Sequence, residues 1–234
     1  MTTYRKIVLP VLLLSFYWIS CKQETTPVTK IAFGSCGDQD WPQPVLTLAA
    51  NNKPDAFIFL GDNIYGDTKN MDTLENKYKR WQAQPDFKRL DSATKIFATW
   101  DDHDYGWNDD GKYYEFKKES KEIFLKYFKE PAESERRKHE GIYHTEYIKS
   151  GEKTVQLILL DVRTFRSNLL LYKKGDSLPR KEYFYTPDYK PHTSLDSTLL
   201  GAEQWKWLEG ELAKPADLRL ICGGSQFSKR KCWS

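Results

Sequence analysis

Only four cysteines occur in 234 residues, Cys21, Cys36, Cys222 and Cys232, so no disulfide framework can be read from the chain. Charge of one sign is lacking as well: 36 basic against 33 acidic residues leave a formal net charge of +3. No basic stripe interleaved with aromatics occurs, and that balance argues against a nucleic-acid scaffold as partner. The long apolar run at the start, Ile7 to Ile19, is too short to span a bilayer. Internal repeats and low-complexity tracts are absent. What is present is a globular composition, 39% hydrophobic and 15% aromatic, in a length that suits one domain around one core.

The N-terminus reads as an export signal, with Arg5 and Lys6 before the apolar run and the polar stretch Lys22 to Thr26 after it. Small Ser20 before Cys21 resembles the lipobox of bacterial lipoproteins, whose cysteine is acylated and becomes the new N-terminus. Trp18 stands where an aliphatic residue is usual. The alternatives are an ordinary signal peptide or an uncleaved anchor. The expected organisation is a signal and lipobox over 1–21, a polar tether over 22–29 and a domain over 30–234. The expected location is outside the cytoplasm of a bacterium, membrane-anchored at Cys21, periplasmic or at the cell surface.

From Lys30 onward short apolar runs alternate with amphipathic segments, the pattern of an α/β fold in which sheets are layered with helices. Strands are predicted over Lys30 to Phe33, Ala56 to Leu60, Lys95 to Thr99, Gly141 to Ile148, Thr154 to Leu160 and Leu218 to Cys222. Several are continuously apolar, as strands buried on both faces require. Helices are predicted over Pro44 to Asn51, Asp72 to Gln84, Tyr113 to Lys129 and Gly201 to Lys214, with Asp72 and Glu75 as a cap pair for the second. Phe116, Ile123, Phe124, Tyr127 and Phe128 share one stripe of the third and read as core. Ser167 to Leu199 has no clear periodicity and is expected to form a lid or rim loop.

Three strand ends carry ligand-type residues. Phe33-Gly34-Ser35-Cys36 ends the first, Leu60-Gly61-Asp62-Asn63-Ile64-Tyr65-Gly66-Asp67 the second, and Trp100-Asp101-Asp102-His103-Asp104-Tyr105-Gly106 the third. Functional groups in open α/β sheets gather beyond the carboxyl ends of strands, so a fold that joins these three brings Cys36, Asp62 and Asp102 to one point. Carboxylates with a phenol and a thiolate suit a ferric ion beside a divalent one such as calcium or manganese; no set resembles a tetrahedral zinc finger. Blander readings stand beside these. Asp62 is also a turn former, Asp102 with Asp104 a capping cluster, Cys36 a small buried hydrophobe and Tyr65 a core residue. Four neighbouring acids without a cation repel one another, which favours the metal reading of Asp62 and Asp102. Arg163 and Arg166, beyond an apolar strand, suit bidentate phosphate binding, although Arg163 can equally pair with Asp161. His139, His144 and His192 lack acidic company and read as surface or strand residues.

The first two of these segments, with Ala98 to Gly106 and Leu159-Leu160-Asp161-Val162-Arg163-Thr164-Phe165-Arg166, resemble in order and spacing the motifs of the alkaline phosphatase D (PhoD-like) family of calcineurin-type metallophosphoesterases, from about Lys30 to Gln226. The resemblance implies a four-layer sandwich of two mixed sheets flanked by helices. It implies that Asp62 bridges two metals, that Asp102 is a ligand and that His103 is catalytic. In this branch a cysteine and a tyrosine complete an iron site with calcium nearby, which carries over to Cys36 and Tyr65. The implied cofactors are ferric iron (Fe3+) with calcium (Ca2+), or manganese or another divalent ion. The implied reaction is hydrolysis of phosphate mono- or diesters by water whose pKa the cations lower from ~16 toward ~7.

Family members continue into a Gly-Asp-x-His motif that this sequence does not show, and no histidine follows His192. The expectation is therefore an incomplete domain with weak metal affinity, marginal stability and impaired turnover. The reading from another class is a catalytically inactive exported lipoprotein that keeps the scaffold as a binding module. The lipobox reading predicts that labelled palmitate enters the chain in a bacterial host and that Cys21→Ser abolishes the label. Equal labelling of the variant would overturn it.

Overall fold

The computed structural model describes residues 29–173 and 189–225. The expected signal, Cys21, most of the tether and Cys232 lie outside the described residues. Three strands, β1 (Ile31–Gly34), β2 (Ala56–Leu60) and β3 (Lys95–Thr99), form one sheet in the order β1-β2-β3, parallel throughout. Helix α1 (Pro44–Asn51) crosses from β1 to β2, and α2 (Met71–Ala83) with α3 (Pro85–Ala93) crosses from β2 to β3. Crossovers of one hand between strands that advance in one direction land on the same face of the sheet. Leu46, Leu74, Tyr78, Trp81, Phe87 and Leu90 from these helices therefore share a core with Phe57 and Phe59 of β2.

The other face of β2 packs on a second sheet. Ala56 and Ile58, with Phe97 of β3, meet Val155, Leu157 and Leu159 of β5 (Lys153–Leu159) and Cys222 of β8 (Leu218–Cys222). The apolar run of β2 thus serves two layers by the two-residue period of a strand. Beyond β5, Ile158, Leu160 and Val162 cover Leu208 of α6 (Gly201–Leu212) and Leu200 just before it. The layers run helices, sheet, sheet, helix, as the resemblance implied.

The second sheet has the order β4-β5-β8, with β4 (His144–Ser150) antiparallel and β8 parallel to β5. Among the described residues only this sheet is mixed. The first is all parallel because a helical crossover precedes both β2 and β3, whereas a tight turn at Ser150–Lys153 forces β4 and β5 antiparallel. The flanks of the rim segment form the short pair β6 (Leu170–Leu171) and β7 (Tyr189–Lys190); 174–188 lie outside the described residues.

The expected cap pair of α2 gives way to Asn70, whose side chain accepts from the Thr73 amide at 2.9 Å. Asp72 sits in the first turn, where the helix dipole favours it, and Glu75 pairs with Lys126 of α5 (Lys117–Tyr127). Helix α5 starts four residues later than expected, Tyr113 to Phe116 forming turns. Its aromatic stripe is core, with Phe124 fully buried against Trp100.

Candidate metal and phosphate site

The two sheets are joined at their carboxyl ends. The Thr99 hydroxyl donates to the Leu160 carbonyl at 2.7 Å, which sets the end of β3 beside the end of β5. Asp161 then organises the loop after β5. Its fully buried carboxylate accepts from the Arg163 and Thr164 amides, both at 2.9 Å, and from the Ile142 amide at 2.9 Å. The expected Asp161–Arg163 pair is therefore made by backbone; the Arg163 guanidinium turns elsewhere.

The loops after β1 and β2 lie against that after β3. The Cys36 amide donates to Gly61 O at 3.2 Å, Gly37 to Asp62 O at 2.7 Å and Gly66 to His103 O at 2.8 Å. Gly61 and Gly66 make the approach feasible: an added Cβ would lie 2.7 Å from the Asp101 amide nitrogen at Gly61, which has φ +107°, and 2.5 Å from the His103 carbonyl at Gly66. Cys36, Asp62, Asp67 and Asp109 all take left-handed backbone, φ 42–62°, a strain that side-chain residues adopt chiefly where structure around them imposes it. Lys77 of α2 secures the turn by donating to the Tyr65 and Gly66 carbonyls at 2.9 and 2.8 Å, and buried Gln39 accepts from the Tyr65 amide at 2.8 Å.

Helix α4 (Asp102–Tyr105), a single turn, follows β3 and aims its two acids apart. Asp104 points inward, fully buried. It accepts from the Asp101 amide at 2.7 Å and from the Asn63 side chain, as one half of a capping box. Burial first, then Asp62, pushes its pKa well up. The capping reading thus holds for Asp104. Asp102 points into the cluster instead, where ligand atoms of Asp62, Asp102 and His103 lie within 4.8 Å of one another.

The Cys36 thiol is 3.6 Å from Asp62 Oδ2. It is exposed, so it is not the small buried hydrophobe of the bland reading; Cys222 is that residue. Tyr65 is half-buried rather than core, its ring 4.4 Å from the His103 ring. Burial, then the charges of Cys36 and Asp62, push the phenol up to about 12.

Two arginines face the acids. The Arg163 guanidinium, 8% exposed, pairs with Asp101 through Nε and with Asp102 Oδ1 at 3.1 Å through Nη2. The second Asp102 oxygen accepts from the Asp109 amide at 2.7 Å. Arg166 donates to the Asp109 and Asp110 carbonyls, while its buried Nε has no hydrogen-bond partner among the described residues. Of the other histidines, His139 stacks on Tyr143, His144 lies half-buried on β4, and His192 meets the Asn168 carbonyl. None joins the cluster.

Sequence reasoning missed Asp67 and Asp101. Both Asp67 oxygens lie 2.8 Å from His103 Nδ1, which leaves Nε2 toward the cluster. Burial pulls the imidazole pKa down, yet the hydrogen bond to Asp67 and the charge of Asp102 outweigh it and raise it. The available signal for Asp67 was the second Gly-Asp pair, Gly66-Asp67, five residues after Gly61-Asp62.

The residues fit a bound cation. Asp62 Oδ1 is buried with no hydrogen-bond partner among the described residues, which costs free energy unless a positive group meets it. Burial first, then Asp101 and Asp102, push the Asp62 carboxyl up to about 6, against the pull of His103 and Cys36. Crowding of this kind marks a site that a cation relieves.

Strand-end convergence of acids, a histidine and a thiol over two facing sheets defines the class of metallophosphoesterase-like folds. The model of the PhoD-like phosphatase family matches residues 31–222, and the chain belongs to that family. A solved structure titled "Structure of PhoD" is similar to this chain at 19% identity, with a TM-score of 0.59 over 83% of it. The match spans 41% of that structure's chain. No curated protein matches the sequence.

The Asp62 shift sets a pH dependence. Between the usual 3.8 and about 6 the folded chain keeps a proton that the unfolded chain has lost. The associated stability is fully present below pH 3.8 and is lost as pH rises through about 6. In chelator-treated protein, Asp62→Asn should give a shallower fall in urea-unfolding stability over this window. It should also be more stable at pH 7 by about 1 kcal/mol, a figure reduced for partial exposure. Equal slopes for both proteins would contradict the assignment.

Proposed function

We propose that this chain carries part or all of a metal-dependent phosphoesterase centre that hydrolyses phosphate mono- or diesters. The observation that carries the proposal is the Asp67–His103 pair set against the Asp62–Asp102 carboxylates. Cys36, Asp62, Tyr65 and Asp102 would hold the cations, ferric iron with calcium or another divalent ion. Bound cations supply Lewis acidity, which polarises phosphoryl oxygens and acidifies water.

The chain's own groups do the rest. Asp67 fixes His103 Nδ1 as its hydrogen-bond partner, so Nε2 is the atom that protonates the leaving oxygen or stabilises the phosphoryl group. The raised imidazole pKa favours the protonated form needed for that step. Arg163 holds Asp101 and Asp102 in place and brings positive charge to the cluster; Arg166 Nε is an uncommitted donor beside it. Phosphate binding by these arginines belongs to the same proposal.

A second reading, a catalytically inactive exported lipoprotein acting as a binding module, draws on one observation. Both Asp102 oxygens are engaged within the protein, by Arg163 and by the Asp109 amide. Metal content and turnover separate the two. The purified chain with iron and calcium should hydrolyse p-nitrophenyl phosphate or its bis-ester, lose activity to chelator, and fall about 100-fold or more with His103→Ala. Asp67→Asn should lower kcat more than it changes KM. Metal retained without turnover would overturn the catalytic proposal, and neither metal nor turnover would favour the binding module.

A further inference from the structure

Behind the Asp101–His103 and Arg163 loops lies a cavity of about 610 Å³ that the proposed chemistry does not use. It is lined by the start of α5 and by the segment that leads into β4. Its charged and titratable lining is Lys117, Lys118, Lys121, Glu122, His139 and Glu140. Both glutamates are already neutralised, Glu140 by Lys117 and Glu122 by Arg137. Burial draws the pKa of His139 down, so it adds little charge.

Two ammonium groups are left. Lys121 is buried, at 9% exposure, and donates to the neutral His139 carbonyl; among the described residues no carboxylate pairs with it. Lys118 is exposed at the rim and makes no ion pair or side-chain hydrogen bond among the described residues. Burying an ammonium against a carbonyl without a counter-charge is costly, and burial lowers the Lys121 pKa accordingly. An anion in the cavity would lift that cost and make charge-assisted hydrogen bonds to both lysines.

We propose that this cavity is a binding site for a small organic anion, a carboxylate or phosphate monoester held by Lys118 and Lys121. Its size suits a metabolite-scale molecule rather than a polymer. Its position has a consequence for the main site. Trp100 and Thr164 line it, and they are the neighbours in sequence of Asp101 and Arg163, which pair across the cluster. An anion here touches the back of both loops that carry that pair.

The Trp100 indole supplies a readout independent of turnover. Its Nε1 is buried with no hydrogen-bond partner among the described residues, so its amide-type NMR resonance is sensitive to a nearby charge. The resonance is assigned as the indole peak lost in Trp100→Phe. Chelator-treated full chain is titrated with succinate in one arm and glycerol phosphate in the other. Saturable movement of the Trp100 peak is expected in at least one arm, with apparent affinity about tenfold weaker in Lys118→Ala, the loss of one charged hydrogen bond. Lys118 is exposed, so this variant should fold; Lys121→Met adds a second reading if it folds. Movement in the phosphate arm that persists in Lys118→Ala but vanishes in Asp62→Asn would place the anion at the main cluster and overturn the proposal. No movement in either arm up to tens of millimolar would also overturn it.

Discussion

Three carboxylates, Asp62, Asp101 and Asp102, stand where three parallel strands and the end of β5 converge, and their mutual repulsion is the constraint to which the surrounding structure responds. Arg163 meets two of them, Asp101 and Asp102. Asp62 keeps a buried oxygen without a hydrogen-bond partner among the described residues and a carboxyl pushed up to about 6. A protein with no use for a cation would gain by replacing Asp62, because a buried carboxylate oxygen without a partner costs free energy, whereas replacing Asp101 or Asp102 would leave the buried Arg163 short of its counter-charge. The crowding at Asp62 supports the proposal that the folded chain takes up a positive ligand there.

Holding such groups together needs a rigid frame, and the fold supplies it in layers. The apolar runs of β2 and β5 each serve two interfaces, so the strands cannot slip without exposing core on both faces. From that frame the loops are tied by backbone: Gly37 to Asp62, Gly66 to His103, Cys36 to Gly61. Four left-handed non-glycine residues in those loops, Cys36, Asp62, Asp67 and Asp109, hold conformations that cost on the order of 1 kcal/mol or more each. The packing of the sheets and the polar hubs at Asp104 and Asp161 offset that cost. Of the six left-handed non-glycine residues among those described, these four lie in or beside the site, while Lys53 and Lys129 lie elsewhere.

Much of this was legible in the sequence, for a physical reason. Strands β2 and β3 run from Ala56 to Leu60 and Lys95 to Thr99 as expected, because burial on both faces writes a continuous apolar run bounded by polar residues. Helix α3 was not legible: only Phe87 and Leu90 mark its buried face, and Pro85 reads as a stop for α2 as readily as a start for a new helix. Helix α4, at four residues, is shorter than any hydrophobic period and looks like loop. In the site, Cys36, Asp62, Tyr65, Asp102 and His103 stand at predictable strand ends. The roles of Asp67 and Asp101 depend on loop–loop contact, which no local pattern encodes. Arg163 shows the same limit. Its nearest acid in sequence, Asp161, takes its backbone amide, while acids sixty residues away take its side chain.

The most direct test of the central claim is whether a cation stabilises this chain through Asp62. Urea unfolding of the full chain at pH 7 would be followed with and without added iron and calcium, for the original protein and for Asp62→Asn. Binding to the folded state alone raises stability by about 2.7 kcal/mol at one hundred times the dissociation constant. The account predicts a midpoint that climbs with cation concentration in the original chain and stays level in Asp62→Asn. A midpoint unmoved by cations, or moved equally in both proteins, would contradict it.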